Sequence, residues 1–490
     1  MAILDIFRKK PARRAPYVPH RRAYDAAKTG RLFSDWTTTN KSAAGELRDQ
    51  LRVLRARSRE LCQNNDYARR FLRLQTTNIV GPSGIQFEPR ATEADGQPDV
   101  FANAQIAERF AEWSRKGNCT VDGGLSFIDA QRLFVETVCR DGEVIVRLVR
   151  GYDNGFAFGL HFIEADHLDE ELNTELKNGN AVRMAIESDR YGRPVAYHIS
   201  ARNPADTFVS RDQNRERVPA ANIIHGYVAE RAGQGRGIPW ATTAMARLHM
   251  LGAYEDAEVT AARLAACKMG FFTSGDAEGY TGEDYEDYSP IMNAEPGTFE
   301  QLPQGMSFQT FDPDHPTTAF KDFEKAMLRG ISSGLNVSYA SLSNDLESVN
   351  YSSIRQGALD ERDQYRVMQK WLTDHFLQPV YEAWLEEQLT RGLFDPQLPI
   401  RKAGKFKVAQ WRPRGWQWID PNKEVQANIE AVKNGFKTLA DVAGESGRDS
   451  AQLLEKLAAE KADAEALGLQ LQLGQARDAQ QEVQDGNEEN

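Results

Sequence analysis

From Ala241 to Lys268 the chain has no proline and one glycine, Gly252, while alanine fills positions 241, 244, 246, 253, 257, 261, 262, 265 and 266. Alanine is the best helix former, so this stretch predicts an uninterrupted rod on the order of 40 Å long. Small residues on more than one side let other helices approach closely. A solitary subunit gains little from that. A ring of copies, packed helix against helix, would use it.

A chain of 490 residues has room for about two to four domains with sizeable cores. Its 41% hydrophobic and 27% charged content is ordinary for a globular protein. No run approaches the ~18 apolar residues of a membrane span. The opening Met-Ala-Ile-Leu-Asp-Ile-Phe is too short and too early for a secretory signal. Cys62, Cys119, Cys139 and Cys267 form no C-x-x-C pair, which predicts free thiols and synthesis in the cytoplasm.

The net charge of −11 is unevenly spread. Residues 1–31 carry nine Lys/Arg against Asp5 and Asp25, or +7. Residues 271–300 carry Asp276, Glu278, Glu283, Asp284, Glu286, Asp287, Glu295 and Glu300 with no Lys or Arg, or −8. A sequence-specific DNA reader normally shows a basic face. Only the N-terminal arm offers one, and a solvated tail is its ordinary alternative.

Residues 1–40, rich in Arg, Pro, Thr and Asn, read as an extended arm. Leu47, Leu51, Leu54, Leu61, Ala68, Phe71, Leu72 and Leu74 predict helix over 44–77, ended by Val80-Gly81-Pro82-Ser83-Gly84. Further helices are expected at 99–116 and 126–140. Strands are expected at Glu143–Arg150, Phe156–Ile163, Arg183–Glu187, Val195–Ser200 and Ile223–Val228, making a small mixed or antiparallel sheet. After the rod and the acidic segment, helix returns at 320–335. A polar acidic loop follows (Ser343, Asn344, Asp345, Glu347, Ser348, Asn350), then a helix over 352–390 opened by Ser352 and kinked by Pro379. Lys405–Trp411 reads as a strand, 421–435, 438–444 and 448–467 as helices, and the acidic tail from 468 as disordered. The fold class is α+β, predominantly helical.

Few motifs carry chemistry. Gly233-Gln234-Gly235-Arg236-Gly237-Ile238-Pro239 lacks the lysine of a phosphate loop and reads as a turn before the rod. Glu164-Ala165-Asp166-His167 resembles a fragment of a metal site. Strand alternation would put Glu164 and Asp166 on one face and His167 on the other, so a metal-dependent nuclease is the alternative function; structural contacts at a strand end are the simpler reading. The eight histidines show no H-E-x-x-H or i, i+4 pairing. Trp411, Trp416 and Trp418, interleaved with Arg412 and Arg414, fit base stacking or a packed strand end with arginine over aromatic faces.

Several stretches, in order, resemble the lambda-type portal proteins of tailed bacteriophages. They are Leu54-Arg55-Ala56-Arg57-Ser58-Arg59-Glu60-Leu61 with Asn64-Asn65-Asp66-Tyr67-Ala68, and Asn78-Ile79-Val80-Gly81. Ile163-Glu164-Ala165-Asp166-His167-Leu168 and Tyr191-Gly192-Arg193-Pro194-Val195-Ala196-Tyr197 follow. Then come Arg231 to Trp240, Asp256-Ala257-Glu258, Asn350-Tyr351-Ser352-Ser353 and Asp420-Pro421-Asn422-Lys423-Glu424. The resemblance covers roughly residues 20–465 and rests on the series, since no single piece is decisive.

It implies a non-enzymatic ring of about twelve copies at one capsid vertex of the virion, with neither cofactor nor metal, made in the host bacterial cytoplasm. Double-stranded DNA would be driven through it by the terminase large subunit. Capsid or scaffold protein and head-completion or tail adaptors would be further partners. Residues 1–43 would be a basic arm, 44–240 and 352–420 the wing, 241–270 and 319–335 the stem helices, 271–318 the clip, 336–351 the tunnel loop and 421–467 the crown. Asp345 and Glu347, with Ser343, Asn344, Ser348 and Asn350, would line the channel and repel phosphates. Asp276, Glu278, Glu283, Asp284, Glu286 and Asp287 of the clip would face the motor or an adaptor. A third reading is a DNA-binding adaptor working through residues 1–31.

Overall fold

Local capping decides where the first helices begin and end. The computed structural model describes residues 25–27, 30–31, 34–203, 214–266, 270–274, 306–310, 319–347, 351–416, 421–445, 448 and 450–469. Met1–Ser42 and Ala43–Asn490 are separate units. In the first, Asp25–Ala27 makes a single 3-10 turn. All elements below belong to the second.

The helical run expected over 44–77 is three helices, α1 (Ala43–Leu47), α2 (Leu51–Asn64) and α3 (Asp66–Ile79). Asn65 breaks it: its backbone is extended (φ −112°, ψ 125°) and its side chain accepts the Ala68 N–H at 3.0 Å, capping α3. Strand β1 (Gln86–Pro89) and α4 (Val100–Trp113) lead to α5 (Phe127–Asp141), opened by a reciprocal Ser126–Asp129 capping box and closed by Gly142 at φ +89°.

The strands β2 (Glu143–Tyr152), β3 (Ala157–Ile163), β4 (Thr174–Glu175), β5 (Ala181–Arg183), β6 (Ile186–Ser188), β7 (Pro194–Ser200), β8 (Arg215–Pro219) and β9 (Ile223–Tyr227) follow. They form two antiparallel sheets, ordered β3-β2-β9 and β4-β5-β6-β7-β8. The single strand expected at Arg183–Glu187 is instead a hairpin. Met184 and Ala185 take positive φ (48° and 67°), which turns the chain within two residues.

The rod is α6 (Met245–Ala266), about 33 Å long. It starts later than expected because Ala241–Ala244 are spent in turns off Pro239, where Thr242 Oγ1 donates to the Pro239 carbonyl at 2.6 Å. An antiparallel strand pair, β10 (Gly270–Ser274) with β11 (Met306–Thr310), precedes α7 (Ala319–Leu335) and α8 (Tyr339–Ser343).

Next come α9 (Tyr351–Leu372) and α10 (Gln378–Thr390), joined by a π-helical turn at Thr373–Leu377. Pro379 has no N–H to donate and crowds the preceding turn; the wider turn just ahead of it absorbs the conflict without ending the helix. Because α9 begins at Tyr351, Ser352 sits inside its first turn and is not the residue before the helix. Lys405 falls in α11 (Ala403–Phe406), so only β12 (Ala409–Arg412) remains of the expected strand, paired antiparallel with β1. The chain continues through α12 (Pro421–Lys433), α13 (Leu439–Glu445) and α14 (Ser450–Ala466).

The largest core gathers Trp113, Phe134, Phe158, Phe376, Tyr381, Trp384 and Phe406 from α4, α5, β3, the π turn, α10 and α11. Phe134 and Phe376 stack with ring centroids 4.3 Å apart. A second core joins Leu61, Phe71, Leu248, Leu251, Leu328 and Ile331, so α2 and α3 root α6 and α7. Among the described residues no helix is long and apolar enough to cross a membrane. Cys62, Cys119 and Cys139 are free thiols, while Cys267 lies outside the described residues.

Candidate functional site

Where α5 turns into β2, the C-capping Gly142 leaves no room for a side chain. A Cβ there would come within 2.4 Å of the Ile238 backbone, and one on Gly237 within 2.0 Å of the Gly142 carbonyl. This close approach of two glycines brings Arg236 beside Glu143, both fully buried. Arg236 Nε donates to both Glu143 oxygens at 2.9 Å, and Nη2 donates to Oε1 at 2.6 Å. The Gly237 N–H (3.1 Å) and His225 Nε2 (3.0 Å) also meet Glu143 Oε2.

Arg55 of α2 completes this hub, with Nη2 2.7 Å from Glu143 and Nη1 2.9 Å from Asp166 and 3.3 Å from Glu170. Arg59, one turn on, bridges Asp166 (2.6 Å) and Asp141 (3.0 Å). Burial alone would raise the Glu143 pKa, but Arg236, the His225 hydrogen bond and Arg55 hold it well below the usual carboxylate range. Asp166 is likewise depressed, since the Arg55 and Arg59 charges outweigh its burial. Glu170 goes the other way: burial outweighs its share of Arg55.

The expected strand alternation across Glu164–His167 does not occur. Ala165–His167 is a 3-10 turn, and the three polar side chains of Glu164–His167 go separate ways. Asp166 is held by two guanidiniums, His167 Nδ1 meets the Ser200 carbonyl at 2.8 Å, and Glu164 accepts from Asn203 at 3.4 Å.

The tryptophans are packed. Trp411 touches Phe87 (5.1 Å between ring centroids) and donates to Gln378, while Trp416 donates to Asn78 and lies under Arg362, Arg366 and Arg414. Trp418 lies outside the described residues.

The acidic loop is partly helical. Ser338 caps α8, and Asn344, at φ +57°, closes it. Asp345 accepts from the Tyr339 hydroxyl (2.8 Å), the Glu347 N–H (2.9 Å) and Lys325 of α7 (3.2 Å). Those three, in that order, push its pKa down to about 2. Lys321 (2.7 Å) and Lys325 (3.2 Å) reach Glu347. Ser343 donates to the Tyr339 carbonyl at 2.8 Å. Ser348 and Asn350 lie outside the described residues, as do Asp276, Glu278, Glu283, Asp284, Glu286 and Asp287.

Sequence reading did not find Arg55, Glu143 and Arg236 as partners, nor Lys321 and Lys325 as the loop's counter-charges. Two signals were available. Arg55 and Arg59 stand one helical turn apart beside otherwise apolar spacing, and Arg236 is the lone charge within a glycine cluster.

The hub is also where three of the quoted motifs meet: Arg55 and Arg59 come from the first, Asp166 from the third and Arg236 with Gly237 from the fifth. Among solved structures, the neck of a native GTA particle computed with C12 symmetry aligns at TM-score 0.43 and 12% identity, covering 80% of this chain and 93% of that one. A protein of Halomonas phage phiHAP-1 named "Probable portal protein" is 35% identical over 96% of this chain and 92% of its own length. Portal protein B of Escherichia phage lambda is 21% identical over 90% and 89%. The family described as "Phage portal protein, lambda family" matches residues 29–369. The chain therefore belongs to the lambda family of phage portal proteins.

Proposed function

We propose that this portal protein assembles into a ring of about twelve copies at one vertex of the virion capsid, forming a non-enzymatic channel for double-stranded DNA. Residues 44–240 and 352–420 are the wing, α6 and α7 the stem, 271–318 the clip, 336–351 the tunnel loop and 421–467 the crown. Terminase large subunit, capsid or scaffold protein and head-completion or tail adaptors are the partners, with the six clip acids among their contacts.

One observation carries this reading. The inner turns of α6 and α7 are rooted in the core, yet none of the residues 252–263 or 320–327 is buried in the single chain. Tyr254 packs on Phe320 and Phe323 (centroids 5.9 and 4.9 Å apart), and Tyr67 of α3 donates to Glu255 and Glu324 (3.4 and 3.1 Å), holding the two helices together while much of their surface stays exposed. Two neighbouring helices with no buried residue over these turns, one lined with alanine, fit lateral packing against copies of themselves. Metal-dependent nuclease chemistry at Glu164, Asp166 and His167 has no such support, since Asp166 is neutralised by Arg55 and Arg59.

Sedimentation velocity and negative-stain imaging of the purified chain test the proposal. The expected result is a closed ring with a central opening; a species that stays single-copy when concentrated overturns it.

A further inference from the structure

The α2–α3 pair, residues 51–79, holds seven arginines against Glu60 and Asp66, or +5 in a chain whose net charge is −11. Arg55 and Arg59 are consumed by the hub, and Arg70 donates to the Ser341 carbonyl at 3.0 Å. Arg69 and Arg73, exposed and one turn apart on α3, have no acid or side-chain hydrogen-bond partner among the described residues. They are the shared wall of two adjoining clefts of about 670 and 380 Å³.

In the larger cleft the other cations are already committed, Arg59 and Arg140 both gripping Asp141. Two free guanidinium forks therefore face a partly walled groove.

We propose that the Arg69–Arg73 face is a contact between neighbouring copies, receiving carboxylate side chains from a different surface of the next subunit. This rests on the ring reading above. Guanidinium forks match carboxylates in two-point geometry, and a ring joins unlike patches of the same chain. The chain is complementary to itself in this sense: with +5 on residues 51–79, the remainder carries −16. A DNA backbone fits less well. A duplex is too wide to enter the cleft, whereas single carboxylate side chains can reach in.

The test uses the full chain carrying Arg69→Glu with Arg73→Glu, beside Arg69→Lys with Arg73→Lys, in sedimentation velocity at low and high salt. Charge reversal should cut the ring fraction by about tenfold or more while the melting temperature of the subunit holds; the lysine pair should retain rings that are more salt-sensitive. A photocrosslinking residue placed at position 73 should join one copy to another at an acid-bearing segment. Rings that survive charge reversal overturn this contact alone. A crosslink formed only to added duplex DNA overturns it in favour of a nucleic-acid face. A wild-type chain that never assembles overturns the ring and this contact together.

Discussion

Glu143 is fully buried and accepts from two guanidiniums, one imidazole and one backbone N–H. Replacing it with glutamine keeps the shape but leaves Arg55 and Arg236 short of counter-charge. Breaking a buried pair from one side costs about 3–5 kcal/mol, so Glu143→Gln should lower stability by that order in urea denaturation. A loss below about 1 kcal/mol would mean water enters the hub. The pH response follows from the same carboxylate. Its pKa in the fold lies well below the unfolded value, so its contribution is complete above pH ~4.3 and disappears as pH falls through the folded value. Wild type should therefore lose stability on acidification more steeply than Glu143→Gln, measured as melting temperature against pH. Little of this was legible in the sequence. Asp141-Gly142-Glu143 announces a turn, but nothing local says that Arg236, 93 positions away, will lie against it.

At the scale of elements, helices and strands with caps or alternation were readable, and those shaped by tertiary contact were not. Ser126–Asp129 and Gly142 bound α5 within a residue of expectation. The Met184–Ala185 turn was missed because neither residue is a usual turn former, and positive φ there is imposed by the sheet around it. The sequence around 343–350 shows only a polar, acidic loop, yet α7 supplies Lys321 and Lys325 to balance Asp345 and Glu347. That makes it a clasp. Lys321→Glu with Lys325→Glu should raise amide hydrogen exchange across 339–347 while leaving α5 and β2 unchanged. Unaltered exchange in the loop would show that Tyr339 and the α8 caps suffice to hold it.

At the scale of the whole molecule, the charge of the clasp decides what a duplex would meet. With both lysines paired, the clasp is close to neutral, and the repulsion expected of Asp345 and Glu347 is reduced accordingly. Asp345→Lys with Glu347→Lys would gather four cations where balance now holds. This double variant should still assemble but package DNA poorly, because phosphate contacts accumulate with every copy. Packaging at the wild-type rate in a phage complementation assay would place the loop away from DNA. Three of the resembling motifs share a physical role that the sequence could not display: those around Arg55, Asp166 and Arg236 are distant along the chain but adjacent at the hub.

The rooted base and exposed outer half of α6 make it a cantilever, clamped at Met245, Leu248 and Leu251 and held beyond Gly252 by the Tyr254 contact with α7 and the Tyr67 bond to Glu255, with no residue of 252–263 buried. Deflection of such a beam grows steeply with distance from its clamp, so a lone subunit would hold its far end only loosely. Side-by-side neighbours would brace every beam at once, and stiffness would become a property of the closed circle.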